Sequence, residues 1–291
     1  MIKVLVTGSS GFVGKQLINS YGNQIDWVSQ SLRGGMEEVS INWQKIDSVV
    51  HLAGIAHRME PTPDELYHTI NTDLTLKFAK EAKSKGVKYF IFMSTIKVYG
   101  EDYDNLTLDT LTSPNDAYGR SKLEAEKALR ALEDKNFVVS IVRPPLIIGP
   151  GAKGNLNSMM SLAKKNIPLP FGEISNNRAM ISTTNLCAFV FKLITNPTSG
   201  TFLVSEDIEP STTTLLALIR EAMGKKPLLF SIPEFLRKVI KKTRPELHIR
   251  LFGSLSVDSQ TSYKSIGFSN PTQLKESIAE MVLAFERNNN K

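Results

Sequence analysis

Tyr118 and Lys122 are the residues of this sequence whose types and spacing best fit a proton-transfer site. They stand four positions apart, and side chains at i and i+4 lie on one face of an α-helix. A cation beside a phenol favours the phenolate, so we expect Lys122 to lower the pKa of Tyr118. A tyrosine of lowered pKa can exchange the proton that accompanies hydride transfer at a carbonyl. Such pairs also arise by chance on helix surfaces, so the prediction depends on what lies near them.

A hydroxyl group is expected beside this pair. Ser94 and Thr95 come at the end of an apolar run that begins at Tyr89 and has the composition of a buried strand. Active sites of α/β proteins are built where parallel strands end. We therefore expect Thr95 to hydrogen-bond a substrate oxygen and hold it beside Tyr118.

A glycine turn follows the first predicted strand. Gly8 suits a tight turn, Gly11 allows backbone to approach a pyrophosphate, and Gly14 allows the next helix to pack close to the strand. Phe12 and Val13 begin that helix, whose free amides and positive dipole end favour phosphates. This position, between the first strand and the first helix, predicts a dinucleotide site.

The second predicted strand lacks the acidic residue that binds the ribose hydroxyls of NAD about 20 residues after the turn. Ser29 to Arg33 occupy that place, and Asp26 comes too early. Arg33 can accept a 2′-phosphate, which favours NADP(H) as the cofactor and leaves NAD(H) possible. The alternative is that Arg33 is an ordinary loop cation.

Apolar β-branched runs alternate with helical patterns through the first half of the chain. Strands are predicted over residues 3–7, 27–31, 48–53, 89–94 and 138–142, and helices from the glycine turn to about 20 and over 64–85 and 117–133. This alternation predicts an α/β fold, a Rossmann-type doubly wound parallel sheet with helices on both faces.

The pattern changes after residue 150. Long loops are expected over 149–177, because Pro, Gly and Asn are frequent there, and helices over 184–195, 213–223 and 271–286. We predict a dinucleotide-binding domain over residues 1–150, to which later segments return, and a smaller cap over 151–291 that mainly binds substrate.

Composition limits the function classes. The chain has 291 residues, one cysteine (Cys187) and a net charge of +6. Eight cations and two anions fall within residues 225–250, the basic segment, which has few aromatic side chains among its cations. We expect no nucleic-acid binding, because base stacking needs aromatic platforms. No apolar run reaches the roughly 20 residues of a membrane span, so we expect a soluble cytoplasmic protein without stable membrane insertion.

Together these motifs resemble the extended short-chain dehydrogenase/reductase family of nucleotide-sugar epimerases, dehydratases and reductases. Thr7 to Gly14 is similar to the family's TGxxGxxG turn, and Tyr118 with Lys122 to its YxxxK motif. Thr95 matches the catalytic hydroxyl. The resemblance also implies cofactor contacts at Leu52, Ala53, Gly54, Asn71 and Pro144. Family members are often homodimers, paired through the helices near Asn71 and Tyr118.

The resemblance further implies a UDP-sugar substrate, held partly by residues of the cap. Arg178 is expected to bind the diphosphate, with Arg250 of the basic segment as a second cation, because the guanidinium fork suits phosphate oxygens. The other expected substrate contacts are Asn155, Pro170 and Phe171 near the nucleotide, and His57 and Lys97 near the sugar.

Three subclasses differ in a few residues. Dehydratases carry Asp-Glu after the catalytic threonine, where this chain has Ile96 and Lys97, so dehydration is not expected. The preferred hypothesis is NAD(P)H-dependent reduction of the C4 keto group of a UDP-4-keto-6-deoxy-N-acetylhexosamine in bacterial surface polysaccharide synthesis. The alternatives are a UDP-hexose or UDP-N-acetylhexosamine 4-epimerase with tightly bound NAD, and a non-catalytic NADP-binding sensor or scaffold.

Overall fold

A computed structural model describes residues 1–36, 41–56, 62–101, 103–152 and 155–289. The strands are β1 (Ile2–Thr7), β2 (Ile25–Gln30), β3 (Ser48–His51), β4 (Tyr89–Met93), β5 (Asn105–Leu106), β6 (Val138–Arg143), β7 (Leu146–Ile148), β8 (Met180–Ser182), β9 (Gly200–Leu203) and β10 (Ser256–Val257). Six of them form a parallel central sheet in the order β2-β1-β3-β4-β6-β9. The remaining four form two small parallel pairs, β5 with β10 and β7 with β8.

Helices separate these strands. They are α1 (Phe12–Tyr21), α2 (Asp64–Tyr67), α3 (Leu74–Ser84), α4 (Ala117–Leu132), α5 (Asn155–Lys164), α6 (Thr183–Thr195), α7 (Thr212–Ala222), α8 (Glu234–Thr243), α9 (Pro245–Phe252), α10 (Gln260–Ile266) and α11 (Leu274–Asn289). A π-helical stretch, His68–Asp73, joins α2 to α3, and a 3-10 turn, Ile96–Tyr99, follows β4. The helix predicted over 64–85 is therefore one helical run with a widened turn inside it.

The central sheet is buried on both faces along its inner strands β3, β4 and β6, which are mostly apolar, whereas the edge strand β2 is partly exposed. Successive side chains of a strand point to opposite faces. Val4 and Val6 pack into a core cluster with Val50 on one face, whereas Leu5 packs with Val49 on the other. This arrangement confirms the predicted doubly wound parallel sheet, in which near-continuous apolar strands are covered by helices on each side.

The second half of the chain contributes both to the sheet and to a separate cluster. Strand β9 pairs with β6 and so extends the central sheet. Helices α5, α7 and α11 enclose a third core cluster, which includes Met160, Ile219 and Ile278. The expectation of long loops over 149–177 was wrong where α5 lies, because apolar residues at helical spacing outweigh the glycine and asparagine content around them. The division at residue 150 stays a prediction.

Candidate active site

The glycine turn joins β1 to α1 in the geometry that a close backbone approach requires. Gly8 has φ +71°, and a Cβ there would stand 2.8 Å from the backbone N of Ala53. A Cβ on Gly14 would stand 2.5 Å from the carbonyl oxygen of Gly8. Gly11 begins α1 without a side-chain cap, so the first helical amides are not satisfied by a capping side chain. This cradle fits a pyrophosphate.

Phe12 and Val13, expected near the cofactor, also serve packing. Val13 packs against the core of the sheet, and Phe12 packs against the cluster of the cap. A Cβ on Gly11, between them and the turn, would meet only the Gly8 carbonyl oxygen, at 3.1 Å. The glycine side of the turn is therefore open where a dinucleotide would approach.

The end of β3 lies beside the turn. The backbone amide of Leu52 donates to the Thr7 carbonyl oxygen at 3.2 Å, and that of Ala53 donates to the Thr7 hydroxyl at 3.2 Å. Gly54 has no room for a side chain, because a Cβ would stand 2.8 Å from Oδ1 of Asn71. These contacts join the expected cofactor residues at the carboxyl ends of β1 and β3.

Asn71 holds this edge to helix α4. Its buried side chain accepts from the Ile55 amide at 2.8 Å and donates to the Ile55 carbonyl oxygen at 3.0 Å and to the Ser121 hydroxyl at 3.1 Å. It lies in the π-helical stretch, a conformation that often occurs at functional sites. The structure thus gives Asn71 a positioning role next to Lys122.

Thr95, Tyr118 and Lys122 come together as the spacing predicts. Thr95 follows β4, is buried, accepts from the Lys97 amide at 3.2 Å and hydrogen-bonds Tyr118. Tyr118 lies in the first turn of α4, which Asp116 caps by accepting from the Gly119 amide at 2.6 Å. The carboxyl end of β4 and the N-terminus of α4 therefore place a hydroxyl beside a phenol.

Lys122 is buried one turn further along α4. Its Nζ donates to the Met93 carbonyl oxygen at 2.9 Å and lies 4.6 Å from the centroid of the Phe92 ring. Burial lowers the pKa of Lys122 to about 8, and the carboxylate of Glu126 acts in the opposite direction. The ammonium group is thus fixed against β4. Its pKa lies closer to neutral pH than that of an exposed lysine.

The expectation that Lys122 lowers the pKa of Tyr118 was wrong for this structure. Burial raises the pKa of Tyr118 to about 12, although the hydrogen bond from Thr95 lowers it. Loss of water around the phenolate outweighs this hydrogen bond, and the charges of Asp116 and Tyr67 also raise the pKa. Tyr118 therefore carries its proton at neutral pH.

A buried ion pair behind this site was missed by sequence reasoning. Arg143, at the end of β6, donates from Nε to Glu126 at 3.0 Å and from a terminal nitrogen to the Tyr99 hydroxyl at 2.6 Å. The Ser94 hydroxyl also donates to Glu126. Glu126 lies four positions after Lys122, and that spacing is the signal that could have found it.

Pro144, expected beside the nicotinamide, follows β6 and helps to hold the segment that carries Thr95. Its carbonyl oxygen accepts from the Ile96 amide at 3.1 Å, while the Ser94 amide donates to Val142 at 2.8 Å. These bonds hold the segment around Thr95 against the end of β6.

The structure describes some of the side chains expected to bind substrate and leaves out others. Lys97 is half-buried and forms an ion pair with Glu101. Arg178 is half-buried, and burial lowers its guanidinium pKa. Pro170 is half-buried, and Phe171 packs on the cap cluster. His57 lies outside the described residues, as do the side chains of Asn155, at the start of α5, and Arg250, in α9.

Arg33 is exposed just beyond β2, and its amide donates to the Ser31 hydroxyl at 3.3 Å. Strand β2 ends at Gln30, which pairs with Thr7, whereas Asp26 pairs with Lys3 near the opposite end. A carboxylate is therefore absent from the last residues of β2, on the side of the glycine turn.

His51 is buried at the end of β3. Its two ring nitrogens lie 3.0 Å from the hydroxyls of Thr7 and Thr75, and burial lowers its pKa to about 3. Within the described ranges, no group of three or more potential ligands is arranged to hold a metal. Nor does any described helix combine the length and apolar character that crossing a bilayer requires.

Comparison with known proteins assigns the family. The model of the NAD dependent epimerase/dehydratase family matches residues 35–204. The chain belongs to this family. Its members include the enzymes that the motifs resemble, so the predicted family, fold class and enzyme class are confirmed, as is a nicotinamide dinucleotide at the level of cofactor class.

Relatives differ in their named activities. A UDP-glucose 4-epimerase from Vibrio cholerae is 35% identical over 99% of this chain and 97% of that protein. A UDP-2-acetamido-2,6-beta-L-arabino-hexul-4-ose reductase from Pseudomonas aeruginosa is 29% identical, over 62% of this chain and 45% of that protein. Among solved structures, RMD from Pseudomonas aeruginosa complexed with NADPH superimposes with a TM-score of 0.76 at 19% identity, covering 99% of this chain and all of that one.

Proposed function

We propose that this enzyme transfers a hydride at C4 of a UDP-sugar, and that it works as an NADPH-dependent 4-ketoreductase on a UDP-4-keto-6-deoxy-N-acetylhexosamine. The observation that carries the coarser proposal is the meeting of Thr95, Tyr118 and Lys122 beside the glycine turn. Relatives of this chain are named as UDP-sugar 4-epimerases and as a 4-keto sugar reductase, which supports the substrate class.

Tyr118 holds its proton beside Thr95, where the reduction of a ketone needs a proton donor. When bound, the reduced nicotinamide supplies a hydride to the carbonyl carbon. Thr95 would orient the carbonyl oxygen by hydrogen bonding, and Tyr118 would give its proton to the oxygen as negative charge develops there. Lys122 would then offset the charge left on the phenolate. Hydride and proton together convert the ketone to an alcohol, and the Tyr118 proton returns from water.

The reductase reading depends on the end of β2. With Arg33 exposed there and no carboxylate, a 2′-phosphate is favoured over a free ribose hydroxyl. A cofactor with that phosphate is consumed in net reduction, whereas an epimerase regenerates its NAD within each turnover. The product would be a deoxy amino sugar for bacterial surface polysaccharide synthesis.

A 4-epimerase is the second candidate. It is favoured by the similarity to the Vibrio cholerae epimerase, which extends over 99% of this chain. An epimerase would use the same three side chains, because it oxidises C4 and reduces it again from the other face.

One assay separates the two candidates. Purified protein is mixed with UDP-4-keto-6-deoxy-GlcNAc and with NADPH or NADH, and nicotinamide absorbance is followed. We expect oxidation of NADPH in proportion to product formed. Absence of net oxidation, together with interconversion of UDP-GlcNAc and UDP-GalNAc and release of NAD on denaturation, would establish the epimerase instead.

A further inference from the structure

Helix α8, within the basic segment, has two chemically different sides. Phe235, Leu236, Val239 and Ile240 fall within one arc when residues are placed 100° apart around the helix axis. The opposite arc carries the helix's cations, Arg237, Lys238, Lys241 and Lys242. Such a helix normally buries its apolar side against the protein.

Here the orientation is reversed. A shallow cavity between α8 and α9 is lined by residues of the polar side together with His248 and Phe252 of α9. The Arg237 guanidinium lies 5.3 Å from the Phe252 ring. The apolar side therefore faces outward: Phe235 is 64% exposed, Val239 is 51% exposed, and no residue of α8 is buried.

Exposed apolar side chains are concentrated in the sequence around α8. Seven of the fourteen large apolar side chains that stand exposed in the described ranges fall within residues 228–249. We call them the apolar patch; its members are Leu228, Phe230, Phe235, Leu236, Val239, Leu247 and Ile249. On α8, Phe235, Leu236 and Val239 share one arc, and contiguous exposure of this kind marks an interaction surface, unlike apolar residues scattered singly.

The positive charge near the apolar patch indicates which kind of partner it binds. The basic segment holds eight cations and two anions, a balance equal to the net charge of the whole chain. Lys238, Lys241 and Lys242 are exposed, and Lys242 borders the apolar arc next to Phe235. Two copies of the chain joined patch to patch would bring two such positive segments together, which disfavours self-association through this face. Anionic lipid headgroups are complementary to it in charge.

We propose that α8 docks this enzyme on an anionic membrane surface. The helix is about 15 Å long, roughly half the hydrocarbon thickness of a bilayer, so it lies in the plane of the interface and does not cross it. The apolar side chains enter the boundary between headgroups and acyl chains. Lys242, at the border of the apolar arc, extends its stem alongside them and brings its ammonium group to the lipid phosphates.

Vesicle binding tests the proposal. The full chain is sedimented with vesicles of equal parts phosphatidylglycerol and phosphatidylcholine, and with vesicles of phosphatidylcholine alone. We expect binding to the anionic vesicles that weakens as salt is raised. Lys242→Ala should lower the partition coefficient about fivefold, and Lys241→Ala, on the side that faces α9, should lower it less.

Apolar substitutions separate docking from charge alone. Phe235→Ser with Val239→Ser should abolish vesicle binding without changing the thermal unfolding midpoint, because both side chains are exposed. Ile208→Ser with Leu283→Ser, also exposed but outside the patch, is the matched control and should bind normally. Equal binding by wild type and the patch variant would overturn the proposal. The proposal would also be overturned if the wild type bound no vesicles and the patch variant differed from it in sedimentation mass. That result would assign the face to a contact between proteins.

Discussion

Lys122 has a pKa that its surroundings bring toward neutral pH. Burial lowers its pKa to about 8, so it loses its proton at a lower pH than an exposed lysine. The charged form is the one that offsets a phenolate on Tyr118. We therefore expect kcat for ketone reduction to fall as pH rises through about 8. A kcat profile at saturating substrates that stays flat up to the ordinary lysine pKa of about 10.4 would contradict this.

Tyr118 is expected to be the proton donor. Tyr118→Phe removes the hydroxyl and keeps the ring, whose centroid lies 6.1 Å from that of Tyr67. Loss of a general acid lowers rates by about a hundredfold to ten-thousandfold. We expect kcat to fall by that amount and UDP affinity, measured by calorimetry, to stay nearly unchanged. Loss of UDP affinity would indicate a structural role.

Glu126 is expected to stabilise the site from behind. Glu126→Gln would leave the buried Arg143 without its counter-charge, which costs about 3–5 kcal/mol in unfolding free energy. Glu124→Gln is the control on the same helix, because Glu124 is half exposed and its pair with His68, at 3.2 Å, contributes about 1 kcal/mol or less. Urea denaturation measures both.

The same substitution should act on Lys122. Glu126 raises the pKa of Lys122, so its removal should move the fall in kcat to lower pH. A merely structural role for Glu126 would change the unfolding midpoint and leave the pH profile of the remaining folded enzyme in place.

At the scale of elements, the turn between β1 and α1 depends on backbone proximity. Gly8 and Gly224 have similar positive φ, +71° and +67°, but only Gly8 lies against another backbone. Gly224→Ala should cost about 1–2 kcal/mol from conformation alone. Gly8→Ala should cost more, because its Cβ would meet the backbone of Leu52 and Ala53 just after β3, and should weaken nicotinamide dinucleotide binding. Equal losses in unfolding free energy would show that the close approach is unimportant.

Most of the central sheet could be predicted from sequence, because buried parallel strands appear in a sequence as short apolar runs between glycine-rich or polar turns. The run from Tyr89 is one example. The meeting of Thr95 with Tyr118 was also predictable, since the carboxyl ends of parallel strands share one edge. The π-helical turn around Asn71 was not, because one extra residue per turn leaves almost no trace in a periodic pattern.

Other properties of the site depend on burial and packing, which the sequence does not reveal. The sign of the pKa shift of Tyr118 follows from how much water burial removes, which spacing does not reveal. The spacing from Lys122 places Glu126 on the same helix face, but its pairing with Arg143 is known only once β6 and α4 are packed together. The outward apolar side of α8 reverses the usual rule that helices bury such residues.

At the scale of the molecule, the expected homodimer stays a prediction. The helices near Asn71 and Tyr118 are the predicted contact, and Leu66 of α2 is 38% exposed beside them. We expect sedimentation equilibrium to give twice the chain mass of 32.3 kDa. Leu66→Arg should shift the equilibrium toward monomer, whereas Leu283→Arg on α11 should not. A wild-type protein of single chain mass would refute the dimer.

The pairing of β9 with β6 has a consequence for how the chain is made. About sixty residues separate the end of one strand from the end of the other, and α10, still later, packs Tyr263 on the same core. At roughly 5–20 residues per second, a ribosome needs about 3–12 s to supply the missing strand. During that interval the nascent sheet carries an open edge of backbone donors and acceptors, which favours aggregation. Newly made chains should therefore depend on chaperones at this stage, more than the finished enzyme does.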